Sequence, residues 1–262
     1  DRSVSRGLGD VYKRQFVNGP MDELYKTGVG SRGWGNVRAK VSLVDAFDAD
    51  DVMFDGNDTW GNNKKDKRAQ FMTALPNQVK DTWDVNMDMT STFTCGYGYI
   101  KWRNVTKEDE LCPSGDAYTS IDFPLFRTAD AYLMAAEAIL RGASGTKSEA
   151  LGYVNEVRTR AYMSGKYAKN GVRSDVSGEI GANELDLDFL LLERQKELAS
   201  ELIRRTDLIR FGKYTKGNNW DWKNGVRLGE DVDDKYNLFP IPESELTNNP
   251  TLVQNDGYKV IK

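Results

Sequence analysis

DFPLFRTADAYLMAAEAILRG, residues 122–142, decides the fold class. Phe126, Ala129, Leu133, Ala136 and Leu140 recur along it every three or four residues, which places them on one face of a helix. Gly142 follows as a stop, because glycine enters the left-handed backbone that closes a helix without a Cβ penalty. Thr146 and Glu149 then make a T-x-x-E capping box, in which each side chain takes up a backbone N–H that the first helical turn leaves unpaired. Leu151, Val154, Val157 and Ala161 carry the apolar stripe of a second helix. Two helices on so short a link form an antiparallel αα-hairpin, the unit of tetratricopeptide-type repeats. No second copy recurs at a fixed period.

Downstream, residues 162–183 are polar and punctuated by glycine, so they read as a loop. A third helix is expected from a cap near Asn183, with Leu187, Leu190, Leu191, Leu198 and Leu202 on one face. Pro240, Pro242 and Pro250 predict that residues 236–258 run extended rather than helical. Upstream, Ser42 is placed to cap a short helix reaching Phe47. Residues 48–61 form an acidic loop, and residues 68–104 turn to a β pattern in which Tyr97, Tyr99, Ile100 and Trp102 make a strand or hairpin. The glycines of residues 16–36 surround Trp34. The fold class expected is mainly α, with helical hairpins, irregular aromatic loops and a few short strands.

The chain has 262 residues, enough for one large domain or two small ones, and 39% hydrophobic residues, too many for a disordered polymer. With 36 basic against 40 acidic residues its formal charge is −4, which argues against nucleic acid as a partner. Histidine is absent, so neither a Ser-His-Asp nor a Cys-His nucleophile can be assembled, nor a His-bearing zinc site. No apolar run approaches a membrane span, and mean hydropathy is −0.62. The aspartates of residues 48–61 fail the EF-hand order, so a solvated turn is the main reading and adventitious or structural calcium the minor one. No cofactor is called for. Cys95 and Cys112 are spaced for neither a CxxC motif nor a zinc knuckle, and a disulfide or two thiols both stay open. Residues 1–15 show neither period nor cap and resemble translated adapter read-through; they are set aside as non-native, leaving 16–262 as the native part.

Several separated segments resemble one family. Residues 122–138 are similar to the P-x-x-R-x-A-D-x-x-L-x-x-A-E-A helix of SusD/RagB-type proteins. Asn155 to Ala161 resembles that family's N-x-V-R-x-R-A; residues 192–198 and 207–213 resemble its E-R-x-x-E-L and D-L-x-R-x-G-K block. Phe239 to Glu245 and Asn249 to Tyr258 look like its C-terminal signature, and residues 43–51 fit its L-V-x-A-F-x-x-x-D. One departure is Glu201-Leu-Ile-Arg204, where the family commonly has E-G-x-R. The resemblance implies the C-terminal part of a SusD-like domain, in a non-catalytic lipoprotein on the Bacteroidetes outer-membrane surface. Such a protein captures glycans, occasionally peptides, and delivers them to a TonB-dependent SusC-like transporter. Its N-terminal lipid anchor and upstream helices are expected beyond this chain. The shared charged residues, Arg127, Asp130, Glu137, Glu193, Arg194, Glu197, Arg205, Asp207 and Arg210, are expected to fix packing rather than touch ligand.

Sugar recognition needs flat exposed rings for C–H faces, with polar groups for the hydroxyl rim. Trp34, held between glycines, is the first candidate platform. Trp60, beside Gly61 and Asn62, is the second, with Tyr97, Tyr99 and Trp102 behind them. Asn62 supplies hydrogen bonds, with Asp58 and Arg103 as further polar candidates. Two other readings remain: a glycoside hydrolase working with two carboxylates, which needs no histidine, and a helical-repeat scaffold binding only a protein partner.

Overall fold

The computed structural model describes residues 39–52, 64–72, 98–102, 106, 122–169 and 175–259. Trp34, Trp60, Asn62, Tyr97, Asp58, Arg103 and both cysteines lie outside the described residues. The chain divides into two units, one ending at Leu202 and the other starting at Ile203.

In the first unit α1 spans Val41–Val44, α2 Ala49–Val52, α3 Thr128–Leu140, α4 Lys147–Ala161 and α5 Leu187–Glu197. The strands β1, Phe71–Met72, and β2, Gly98–Tyr99, pair antiparallel with Phe71 opposite Tyr99. Helix therefore dominates the described residues, as the periodicity predicts.

The α3–α4 hairpin forms where the spacing puts it, and both of its caps are present. Gly142 sits at φ +99°, the Gly142 N–H donates to the Ile139 carbonyl and the Ala143 N–H to the Ala138 carbonyl, which is the Schellman closure. At the start of α4 the Thr146 hydroxyl accepts from the Glu149 N–H at 3.2 Å, while the Glu149 carboxylate accepts the Thr146 N–H at 2.6 Å. Leu133 and Ala136 of α3 pack on Ala150, Val154 and Val157 of α4, joined by Leu185 and by Leu190 of α5. Phe126 is not in this stripe: it precedes α3 and is 88% exposed, because the extended Arg127 turns the chain before the helix begins.

A second core gathers Val44, Phe47, Val52, Ala69, Phe71 and Tyr99. The Phe47 and Phe71 rings meet edge to face at 5.5 Å, and Phe71 lies 5.2 Å from Tyr99.

Four local expectations need correction. The first helix starts two residues early and ends at Val44, so Ser42 lies inside it and Lys40, with no side-chain cap, stands at its head. Part of the acidic loop is the helical turn α2, and the Asp51 carboxylate accepts the N–H groups of Lys65 and Asp66. The cap of α5 is Asp186, whose carboxylate accepts the Phe189 N–H; Asn183 belongs to a preceding turn closed by Glu184 on the Gly181 N–H. Leu202 leaves the α5 stripe altogether, 54% exposed at φ +63°.

The second unit holds α6, Arg204–Arg210, and α7, Glu243–Asn248. The prolines do not keep residues 236–258 extended: Pro242 sits just before α7, where its missing N–H costs nothing, and Pro250 follows the helix end. Between Pro240 and Pro242, Ile241 is held by one side chain. The Gln254 amide accepts the Ile241 N–H at 2.8 Å and donates to the Ile241 carbonyl at 2.9 Å, as a neighbouring strand would. The Arg205 guanidinium donates to the carbonyls of Tyr236 and Asn237 and lies 4.2 Å from the Phe239 ring.

Candidate functional site

Helical spacing puts Glu193 and Glu197 one turn apart on α5, and Glu201 comes four residues on as the chain leaves the helix. All three carboxylates are buried, at 1%, 3% and 4% exposure. Buried carboxylates need cations and hydrogen bonds, and four other segments supply them. Arg68 reaches Glu193 at 2.6 Å and Glu197 at 3.2 Å while its other edge grips Asp66 at 2.7 and 2.8 Å. Arg127, at the head of α3, holds Glu197 at 2.5 Å and both oxygens of Glu201 at 2.7 Å. From the last turns of α4, Arg158 reaches Glu193 at 2.7 Å and Arg160 reaches Glu197 at 2.6 and 2.7 Å. Lys101, just past β2, donates to Glu201 and to the carbonyls of Glu197 and Ala199. Arg158 also donates to the Gly178 carbonyl at 2.5 Å; Gly178 adopts φ +73°, and a Cβ there would collide with the Tyr162 ring.

Burial pushes the Glu197 carboxyl up, but Arg68, Arg160 and Arg127 outweigh it and hold the carboxyl below its ordinary range. Asp66 follows the same balance, with Arg68 overcoming burial. Burial lowers the Lys101 ammonium, and Glu201 offsets only part of that.

The charged motifs make the ion pairs expected of packing residues. Arg194 lies 2.9 Å from Asp130, Glu137 takes Arg141 at 2.8 Å, and Asp207 takes Arg210 at 2.7 Å. Arg127, Glu193, Glu197 and Arg205 are bound as described.

A cavity of about 580 Å³ opens on one side of the network, walled by Lys67, Arg68, Gln70, Lys101, Arg127, Arg160, Lys169 and Glu197, with Ala161, Met163, Tyr99 and Tyr167 as its less polar part. Two of the candidate rings, Tyr99 and Trp102, are among the described residues. Tyr99 is a correction: it lines the cavity but is only 3% exposed, packed on Phe71, with its hydroxyl donating to the Arg68 carbonyl at 3.2 Å, so its face is closed to stacking. Trp102 is half-buried, its indole N–H donating to the Ser200 carbonyl at 3.3 Å and its ring lying 6.0 Å from Phe123. The sequence reading missed Lys67, Arg68, Lys101 and Lys169 as cavity residues. The one signal, for Lys67 and Arg68, is the charge run Lys64-Lys-Asp-Lys-Arg68 ahead of a strand, which says nothing of burial. Among the described residues no group of three or more Cys, Asp or Glu side chains is set to hold a metal ion.

The model of the SusD family matches residues 5–258. The chain belongs to the SusD family. The matched span takes in residues 5–15, which the sequence reading set aside. The starch-binding protein SusD of Bacteroides thetaiotaomicron is 38% identical over 176 residues, 67% of this chain and 28% of that protein. SusD-like protein P2 of Formosa agariphila is 32% identical over 214 residues, 72% of this chain and 41% of its own length. SusD-like protein P38 of the same organism is 30% identical over 203 residues, 72% of this chain and 37% of its length. The chain thus spans well under half the length of these relatives. No helix among the described residues is long and apolar enough to cross a membrane.

Proposed function

We propose that the chain is part of a non-catalytic glycan-binding lipoprotein on the outer-membrane surface, which delivers oligosaccharide or polysaccharide to a TonB-dependent SusC-like transporter. The observation that carries this reading is its 38% identity to a family member named for binding starch. The whole protein is held to the membrane by an N-terminal lipid. Trp34, Trp60 and Tyr97, with Asn62, are proposed as the stacking platform and its polar rim, and Trp102 as a flanking ring. Tyr99 serves only as a wall.

The hydrolase reading gains nothing from the carboxylates described. A glycosidase acid needs a carboxyl raised toward neutrality, whereas Glu197 is lowered by three guanidinium groups. The test is calorimetric titration of the chain against a panel of soluble polysaccharides, with reducing-end release followed in parallel. Binding without release is expected, and Trp34→Ala should weaken it about twofold to tenfold without moving Tm. Released sugar would instead establish a hydrolase. Binding to no glycan, with capture of a protein partner alone, would leave the scaffold reading.

A further inference from the structure

We infer that the cavity beside the carboxylate network takes the oxyanion of an acidic sugar, a uronate carboxylate or a sulfate ester. The inference rests on the glycan-binding reading and narrows its substrate class. Six cations line the cavity against the single carboxylate of Glu197, in a chain whose formal charge is −4. Its volume, about 580 Å³, falls within the roughly 300–1,000 Å³ of small-ligand sites.

Lys67 donates to the Lys64 carbonyl, and the other five cations fall into two groups. Arg68, Arg127 and Lys101 form a fixed floor whose donors are taken by Asp66, Glu193, Glu197, Glu201 and backbone carbonyls. Their role in the fold is accounted for. Arg160 and Lys169 differ. Arg160 commits only Nη2, to Glu197, so Nε and Nη1 have no partner among the described residues, and the side chain is 46% exposed. Lys169 is exposed and makes no hydrogen bond or ion pair among the described residues. Two cationic side chains with donors to spare, above a floor whose own cations are balanced by buried carboxylates, suit an anionic oxygen group. Met163 and the Tyr167 ring offer apolar surface to the sugar that carries it.

The test is calorimetry on the 262-residue chain with four probes: oligogalacturonate, a sulfated oligosaccharide, a neutral oligosaccharide of matched length, and inorganic sulfate. Either acidic sugar should bind at least about tenfold more tightly than the neutral one, and the preference should shrink as salt rises from 0.05 to about 0.5 M. Lys169→Gln and Arg160→Gln should each weaken acidic-sugar binding about threefold to tenfold and leave neutral-sugar binding unchanged. Lys169 makes no hydrogen bond or ion pair among the described residues, so its variant remains informative should Arg160→Gln unfold. Which acidic sugar binds separates carboxylate from sulfate. Neutral sugar bound equally well, or acidic binding that both variants leave intact, overturns this inference alone. Inorganic sulfate bound as tightly as the sulfated sugar overturns the sugar assignment. Failure of every sugar overturns the glycan reading and this inference together.

Discussion

Replacing Glu197 by alanine removes the acceptor on which Arg68, Arg127 and Arg160 converge. Breaking a buried ion pair by deleting one partner costs about 3–5 kcal/mol, because the charge left behind has been taken out of water. The lower end is expected here. Arg68 keeps Asp66 and Glu193, and Arg127 keeps Glu201, so neither is stranded. Against a domain stability of about 5–15 kcal/mol, a loss of about 3 kcal/mol is large. The assay is urea unfolding followed by tryptophan fluorescence; at an m-value of about 2 kcal/mol/M the midpoint should fall by about 1.5 M. Arg160→Ala is the control. Its side chain is 46% exposed, so its pair with Glu197 counts as a surface bridge, about 1 kcal/mol or less. A Glu197→Ala loss below about 1 kcal/mol, or one no larger than the control's, would refute the view that this carboxylate is the hub of the network.

Because the folded-state values of Asp66 and Glu197 are lowered, their contribution is complete above the ordinary values of 3.8 and 4.5 and is lost as pH falls through the lower folded ones. The urea midpoint should therefore drop on acidification below about pH 4.5, and Glu197→Gln should flatten that drop. Thr146→Ala removes the capping box of α4 and should cost about 1 kcal/mol, read as a lower Tm in calorimetry. Gln254→Ala frees both backbone groups of Ile241, so amide exchange at Ile241 should accelerate by at least about tenfold while the α4 amides are unaffected. Equal acceleration in both places would mean global loosening, and the bracket role would fail.

What the sequence made legible was local. Thr146 and Glu149 stand three residues apart, and Gly142 lies two beyond the last turn of α3, so their partners are within reach of any reading of spacing. The family motifs likewise marked Arg127, Glu193 and Glu197 as structural. Their partners could not be read, since Arg68 meets Glu193 across 125 residues and nothing at either position names the other. Tyr99 was misjudged for a related reason. Its alternation with Tyr97 is right for a strand, but which face of a two-residue strand meets the core depends on Phe47 and Phe71. The helix α7 was hidden by its prolines, which exclude a helix only when they fall inside it; here they frame one.

The distances along the chain that the carboxylate hub spans bear on how long the fold lasts. The α3–α4 hairpin closes within one short stretch, whereas the hub joins residues 70, 100, 125 and 129 positions apart. Contacts of such separation form late, after the loops they close have already lost their freedom. Interactions absent from the transition state act on the rate of opening rather than the rate of closing. Glu193, Glu197 and Glu201 are thus expected to act as a latch more than a nucleus: weakening them should shorten the lifetime of the folded chain, and with it resistance to proteases, while leaving the speed of folding nearly as it was.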